Sequence, residues 1–382
     1  MRPPHFLADA LSTPHSALSM KILRTYVLKE HVGPFLVIVS GLTAVVLIGH
    51  IIKLAELVIA KGVSLFDVLR LLIYLIPYML SFTIPIACFI AMIMTFSRLS
   101  SDYELIAMRA SGVSPARLIL PLLTVALVIS GGMLILHDRV VPASHLAFRR
   151  QLKAIGVQHP TAYIEAGTII KDFEPFILFV YQVDGAILLN VHIYEPQPNG
   201  PTRTILAHRG QFEPLPGRNG VRLKLFDGAM DEWDAQRPGG LYKTSFATYA
   251  LNLVSDAAQE SHVGKKIKEM TFQELVKERR YLNAQGIDPL PITIELHQKI
   301  ASAFATFVFV LFGLALGLGL HHHERLIMFV WVLGVCMAYY LGALGANALA
   351  LNDWLPPWLA AWVPNLIGIL IGAARLARTV QH

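Results

Sequence analysis

A polar segment between two apolar stretches holds the first residues whose types and spacing could do chemistry; it reads SRLSSDYELIAMRASGVSPARL and spans 97–118. The segment is too polar to cross a bilayer and too short to fold as a domain. Ser101 and Glu104 have the spacing of a capping box, in which each side chain accepts a hydrogen bond from the other residue's backbone. Gly112 is placed to end such a helix. The spacing therefore predicts a short surface helix at about 101–112.

One face of this predicted helix is apolar, because Leu105 and Met108 lie three residues apart. The helix could simply lie on the membrane surface, held by its cap. It could instead be a coupling helix that docks into a groove on a cytoplasmic partner. Glu104 would then meet a basic group of that partner, and Arg109 would belong to the same contact. The spacing alone leaves both interpretations open.

A second group consists of basic side chains near the facing ends of two apolar stretches, namely His50, Lys53, Lys61 and Arg70. An ionisable group close to membrane depth indicates a functional site, because placing it in lipid is costly. Anionic lipid head groups are the matching ligand, held by charge-assisted hydrogen bonds. The alternative is that these side chains only extend to the interface, with Lys53 pairing with Glu56 and Arg70 with Asp67. Both interpretations stay open.

The sequence offers no set of residues suited to catalysis. His321–Glu324 reads HHHE, but adjacent histidines on a helix cannot all face one ion, so an interfacial turn is expected there instead of a metal site. Gly239–Thr244 lacks the spacing of a phosphate-binding P-loop. A nucleophile elbow, an HExxH motif, a CxxC pair and an aromatic-rich basic run for nucleic acid are also missing. We expect a non-catalytic chain that holds no metal or cofactor of its own.

The distribution of apolar residues predicts the elements that must position these groups. Hydrophobic residues make up 54% of the 382 residues and charged residues only 15%, well below the roughly 25% charged residues of soluble domains. The apolar residues fall in blocks that come close to or exceed the length needed to cross about 30 Å of hydrocarbon as a helix. The sequence therefore predicts a polytopic α-helical membrane protein with six transmembrane helices, at about 35–52, 69–96, 118–136, 300–320, 326–349 and 359–374.

A different pattern separates the third and fourth of these helices, at 138–290. Charged residues, Gly and Pro return, and Val221, Leu223 and Leu225 alternate with polar residues as in a half-buried strand. Thr271 begins a capping box that predicts a soluble helix at the end of this region. We therefore expect an inserted all-β domain of about six to ten strands, judged by such runs, followed by one helix.

The predicted boundaries divide the chain into four parts. Residues 1–34 are a cytoplasmic tail and interfacial helix, 35–137 the first three transmembrane helices with the surface helix, 138–290 the insert, and 291–382 the last three transmembrane helices with a short tail. Ten Lys and Arg residues near the termini and inner loops outnumber three in the short outer loops. Both termini are therefore expected in the cytoplasm and the insert outside. Residues 1–19 lack the apolar stretch of a cleavable signal, and Met20 looks like a natural start.

Several segments of the chain resemble the LptF/LptG (YjgP/YjgQ) permeases of lipopolysaccharide-export ABC transporters, over about residues 20–375. The most specific is RLSSDYELIAMRASGVSPARL at 98–118. KLAELVIAKGVSLFDVL, ELHQKIASAFATFVFVLFGLALG and LPPWLAAWVPNL support it. The SSDYE motif is more similar to the LptF type, whereas Lys53 resembles a lysine of the LptG type that contacts lipid phosphates. We lean to the LptF type.

The resemblance implies a fold, a function and a set of partners. It implies a periplasmic β-jellyroll insert, a second homologous permease, a dimeric cytoplasmic ATPase that holds ATP and Mg, a single-span accessory protein and a periplasmic jellyroll bridge. This assembly would extract lipopolysaccharide from the inner membrane of a Gram-negative bacterium. Glu104 is similar to the family's coupling acid, which engages the ATPase.

Two other functions stay open at this stage. The chain could be a non-transporting scaffold that anchors a periplasmic β-domain for envelope assembly, although such a scaffold gives the helix at 101–112 no role. It could also be an ABC permease of the same type that carries a different amphiphilic lipid.

Overall fold

A computed structural model of the chain describes residues 14–59, 62–158, 167, 169–173, 176–184, 187–197, 200–214, 221–233, 241–253, 265–318 and 325–381. This part contains six helices that are long and apolar enough to cross a membrane, and an antiparallel sheet inserted between the third and the fourth. The predicted fold class is therefore confirmed. The chain forms two compact units, one of residues 1–47, 76–144 and 266–382 and the other of residues 48–75 and 145–265.

The helices of the first three crossings are α1 (Pro14–Ile59), α2 (Leu65–Ser101) and α4 (Pro115–Ile135), and the short helix α3 (Glu104–Ala110) lies between α2 and α4. Pro34 lies inside α1, and Pro77 and Pro85 lie inside α2, which continues through both. The 37 residues of α2 extend over about 55 Å at the usual helical rise. Because this exceeds the bilayer core, α2 projects beyond it or tilts strongly.

The third crossing does not end where the apolar block ends. After α4 the chain makes a π-helical turn at Leu136–Val140 and continues as helix α5 (Val141–Gln158). The first strand among the described residues begins at Ile169. Residues 138–158, which the sequence assigned to the β-rich insert, are therefore helical. The charged residues of this segment hid a helical repeat of apolar residues, in which Phe148, Leu152 and Ile155 face one cluster.

The insert is one antiparallel sheet whose described strands lie in chain order. They are β1 (Ile169–Phe173), β2 (Phe176–Asp184), β3 (Ile187–Gln197), β4 (Gly200–Pro214), β5 (Val221–Trp233) and β6 (Leu241–Leu253). One face of the sheet carries a closed apolar core, formed by Leu178, Val180, Leu188, Val191, Ile193, Ile205, Ala207, Phe212, Leu223, Leu225 and Leu251. The alternation of apolar and polar residues from which the strands were predicted arises because every second side chain points into this core.

The alternation shifts by one residue along a line that crosses the sheet. Leu188 and Val191 are both fully buried although they are three residues apart, which strict alternation does not allow. Asn190 lies between them with a φ of 51°, and Asp227 in β5 has a φ of 52°. The register of β4 with its two neighbours places His208 opposite both. The left-handed residues therefore shift the alternation at the same level in neighbouring strands. As a result, the buried side chains before and after this level point into the same core.

The last three crossings are α7 (Leu290–Gly317), α8 (Arg325–Leu351) and α9 (Pro357–Gln381), preceded by the soluble helix α6 (Phe272–Ala284). The capping box predicted at the start of α6 is confirmed, because Thr271 N donates to Glu274 Oε2 over 2.8 Å and Glu274 N donates to Thr271 Oγ1. Gly286, with a φ of 72°, follows this helix as expected.

A buried amide connects the last three membrane helices. Asn365 of α9 is fully buried; its amide donates to the carbonyl of Ala301 in α7 over 2.8 Å and accepts from the Tyr339 hydroxyl of α8 over 2.9 Å. Interhelical hydrogen bonds of this kind hold membrane helices together, because lipid offers no competing partner.

Candidate functional site

The short helix α3 begins differently from the prediction. Ser101 is the last residue of α2, and its hydroxyl donates to the carbonyl of Ser97 over 2.7 Å. Tyr103 precedes α3 in the left-handed conformation, with a φ of 57° and no side-chain cap. The predicted capping box of Ser101 and Glu104 is therefore wrong, because α2 extends through the serine. Gly112, with a φ of 83°, follows the helix as expected.

The two faces of α3 have different surroundings. Leu105 is 7% exposed and belongs to an apolar cluster with Val27 of α1 and Leu99 of α2, and Met108 packs against the same cluster. The apolar face that the sequence assigned to a partner thus faces this chain's own core. Ile106 is 58% exposed and Arg109 is also exposed, so a partner would meet these side chains instead.

Glu104 is held by a chain of polar contacts that the sequence did not predict. The hydroxyl of Tyr26 donates to the Glu104 carboxylate, 3.1 Å from Oε1 and 3.0 Å from Oε2. Arg98 Nη2 donates to the Tyr26 oxygen over 3.3 Å, and Arg98 Nη1 lies 2.8 Å from Oε1 of Glu30. The sequence gives one indication of these contacts, which is that Tyr26 and Glu30 lie one helical turn apart on α1 and can therefore contact the same side chain.

The charges of this chain of contacts leave Glu104 able to bind a further cation. Two carboxylates, of Glu30 and Glu104, face one guanidinium, and the short ion pair of Arg98 is with Glu30. Glu104 is half-buried and receives the neutral hydroxyl of Tyr26. An ionised carboxylate accepts about four hydrogen bonds, so a basic group of a partner has acceptor positions left. The arrangement suits docking of a cation at the surface.

The predicted lipid-binding residues that the structure describes belong to the other compact unit, which contains residues 48–75. Lys53 is exposed beside the buried Leu54 on α1, and His50 is half-buried one turn earlier. The guanidinium of Arg70 lies 4.4 Å from the centre of the Phe66 ring. Within the described residues, no hydrogen bond or ion pair joins these three basic side chains to one another. Lys61 and the segment His321–Glu324, for which the sequence predicts an interfacial turn, lie outside the described residues.

The local ion pairs offered as the alternative for these basic residues are not formed. Asp67 accepts a hydrogen bond from Gln151 Nε2 over 2.9 Å, while Arg70 contacts Phe66. Lys53 and Glu56 are both exposed and make no ion pair in the part of the chain that is described. Their charges are therefore not neutralised by the neighbours that the spacing suggested.

An apolar cluster holds the part of the chain that carries these basic residues. Leu54 of α1 packs with Val63, with Val68 and Leu71 of α2, and with Ile155 of α5. Lys53 is thereby fixed on the exposed side of a supported helix end. Among the described residues, no group of three or more His, Cys, Asp and Glu side chains is placed to hold a metal ion.

Comparison with known proteins matches nearly the whole chain. A family model described as lipopolysaccharide export system permease LptF/LptG matches residues 25–378. An uncharacterized protein of Rickettsia prowazekii (strain Madrid E), RP871, is 26% identical over 300 residues, which cover 78% of this chain and 81% of that protein. The matched range includes α3, the residues that contact Glu104, and the basic residues near the facing ends of α1 and α2.

Proposed function

This chain belongs to the LptF/LptG family of lipopolysaccharide export permeases, and we propose that it works as one permease of an ATP-driven complex. The family supports a non-catalytic, multi-pass inner-membrane subunit. We further propose a second homologous permease, a dimeric cytoplasmic ATPase that holds ATP and Mg, a single-span accessory protein and a periplasmic jellyroll bridge as its partners. Both termini lie in the cytoplasm and the sheet lies in the periplasm in this proposal, in agreement with the distribution of Lys and Arg.

The observation that carries the proposal is the presentation of Glu104 at the surface between two membrane helices. Its carboxylate accepts from Tyr26 and has positions left for a cation. Glu104, the first residue of α3, thereby presents a negative charge to the ATPase. Ile106 and Arg109 are exposed on the same short helix and would contact the ATPase as well. A scaffold without transport would need no acid presented in this way.

The inward face of α3 gives the docked ATPase mechanical access to the membrane helices. Leu105 is buried in a cluster with side chains of α1, α2, α4 and α7, so a displacement of α3 must move this core or break it. Apolar cores are close-packed and transmit displacement. We propose that closure of the ATPase dimer pushes on α3 and narrows a lipid cavity between the two permeases.

The basic residues near the facing ends of α1 and α2 would bind the phosphates of the lipid. Lys53 and Arg70 are exposed and lack ion pairs in the described part of the chain, so anionic groups can approach both. Each Lys or Arg near a negatively charged lipid surface contributes about 1 kcal/mol. His50 and Lys61 are assigned to the same role from their positions in the sequence.

The sheet would continue the path of the lipid. Within the described residues, β1 and β6 are the edge strands of the sheet, and the backbone groups of an edge strand can pair with a strand of a bridge protein. The apolar core on its inner face matches acyl chains in polarity. Leu178, Leu188 and Leu223 are fully buried in that core, so entering acyl chains would have to displace side chains that pack against one another there.

Copurification tests the proposed function. The tagged chain, solubilised in mild detergent from its native membrane, is expected to bring an ATPase and a second permease with it. Lipid extracted from the same complex is expected to be lipopolysaccharide. A chain purified alone from intact membranes would instead indicate a scaffold, and a bound amphiphile of another class would indicate a permease for a different cargo.

A further inference from the structure

The polar contacts of Glu104 connect α3 to α1, a helix that does not neighbour it along the chain. Helix α3 follows α2 and precedes α4, so a push on α3 reaches those two helices through the backbone. Helix α1 has no such connection to α3. Tyr26 supplies one, because its hydroxyl lies 3.0 Å from Glu104 Oε2 although 78 residues separate them.

We propose that Tyr26 is a positioning residue that passes the movement of α3 to the first membrane helix. This inference rests on the proposed docking of the ATPase at Glu104. The partner's cation pulls or pushes the carboxylate, and the Tyr26 hydroxyl, bonded to the same carboxylate, makes α1 follow. Without this hydroxyl, only the apolar packing of Leu105 with Val27 connects α3 to α1, so α1 follows the movement of α3 less closely than α2 and α4 do.

The hydrogen-bonding capacity of a phenol suits this role. The Tyr26 oxygen accepts from Arg98 of α2 over 3.3 Å, while its proton is donated to Glu104 at the start of α3. A phenol can donate and accept at once, so one atom of α1 holds both neighbours. Phenylalanine keeps the ring and loses both bonds.

The arginine at the centre is itself oriented by α1. Arg98 Nη1 lies 2.8 Å from Glu30, which is one turn beyond Tyr26 on the same helix. The hydroxyl of Thr95 also lies 3.5 Å from the Glu30 carbonyl oxygen, which adds a contact between α1 and α2. Tyr26 and Glu30 thus hold one side chain from two positions, and this fixes the direction from which Arg98 reaches the phenol.

The polar contacts of Tyr26 lie at the surface, and this favours a role in coupling over a role in folding. Tyr26 is 38% exposed and the Arg98 side chain is 45% exposed. Exposed polar pairs contribute little to stability because water competes for them. Val27, beside Tyr26, is buried in the cluster that also holds Leu105, and it keeps α1 in place without the hydroxyl. Loss of the hydroxyl should therefore leave the fold intact.

The test compares transport with ATP hydrolysis in the complete complex. The copurified complex with Tyr26→Phe is reconstituted in vesicles of inner-membrane phospholipid and lipopolysaccharide. The same amount of ATPase should copurify and ATP hydrolysis should stay within about twofold of the unchanged complex, whereas lipopolysaccharide extracted per ATP should fall by about fivefold. Tyr281→Phe, which removes an exposed hydroxyl from the soluble helix α6, is the matched control and should change neither quantity.

Two further variants make the outcome decisive. Combining Tyr26→Phe with Arg98→Gln should add no further loss, because both residues act through one hydrogen-bonded chain. Additive losses, an unchanged ratio of transport to hydrolysis, or a reduced amount of ATPase with Tyr26→Phe would each overturn the transmission role. If Glu104→Ala leaves docking and transport unchanged, the proposed docking site itself fails. If Glu104→Ala uncouples the complex and Tyr26→Phe does not, only the present inference fails.

Discussion

The ammonium of Lys299 lies 3.1 Å from the carbonyl oxygen of His137, inside the π-helical turn that follows α4. It also lies 2.8 Å from the carbonyl oxygen of Met270, just before α6. A π-helical turn frees carbonyl groups from the regular pattern of helical hydrogen bonds. Asp138 of the same turn accepts from the Phe272 backbone amide over 2.5 Å. These bonds attach the end of the third crossing to the start of the soluble helix.

Replacement of Lys299 by methionine should destabilise the protein. Lys299 is only 6% exposed, and Lys299→Met keeps roughly the side-chain length while removing the ammonium that donates to the partly buried carbonyls of His137 and Met270. The free energy of unfolding should fall by about 2 kcal/mol, seen as a lower unfolding midpoint in detergent. Lys277→Met, on the exposed side of α6, is the control and should leave the midpoint unchanged. Equal midpoints for both variants would contradict a structural role for the ammonium.

Removal of the Glu104 carboxylate should weaken the binding of the ATPase. Glu104→Ala deletes the acceptor for the partner's cation, and the affinity should fall by about tenfold, as when one member of an interfacial charge pair is truncated. Binding of the purified ATPase to the permease in nanodiscs measures this loss. Glu278→Ala, which removes a partly exposed acid from α6, should bind normally. Normal binding by Glu104→Ala would assign α3 to the membrane surface alone.

Removal of the Lys53 ammonium should weaken contact with lipopolysaccharide. Lys53 is exposed and without an ion pair in the described chain, so Lys53→Ala removes a cation that is available to phosphate. Photocrosslinking from a neighbouring exposed position, such as Ile52, should fall by about fivefold. Lys53→Arg should keep the crosslink, because the charge is retained. An undiminished crosslink in Lys53→Ala would mean that the lysine only extends to the interface.

A methyl group at Gly313 should force two membrane helices apart. A Cβ atom there would lie 2.7 Å from Met92 Cβ and 2.9 Å from the Phe89 carbonyl oxygen of α2. Gly313→Ala should therefore lower the free energy of unfolding by about 2 kcal/mol through overpacking. Gly334→Ala is the matched control, because nothing lies within 4 Å of its added methyl. A stability of Gly313→Ala equal to that of the control would contradict the close approach of α2 and α7.

Features that depend on neighbours along the chain could be predicted from the sequence. The six crossings followed from the lengths of the apolar blocks, because a bilayer imposes a minimum length on any helix that spans it. The cap at Thr271 followed from a spacing of three residues. The same spacing at Ser101 and Glu104 misled the prediction, because the long helix α2 continues through the serine. A local pattern predicts a helix start only when the preceding helix has ended.

Contacts between distant residues were decided by the tertiary structure. The sequence by itself predicted the membrane class and the inserted strands, which are confirmed, and it predicted a short helix that carries Glu104. It did not reveal that Leu105 turns inward, that residues 141–158 are helical, or that Tyr26 reaches Glu104 across 78 residues. An apolar side chain on a short helix can face a partner or its own core, and the spacing is the same in both cases. Only the packing of α1, α2 and α4 around α3 selects one face, because burial and hydrogen bonding depend on atoms that are close in space and far apart in the chain.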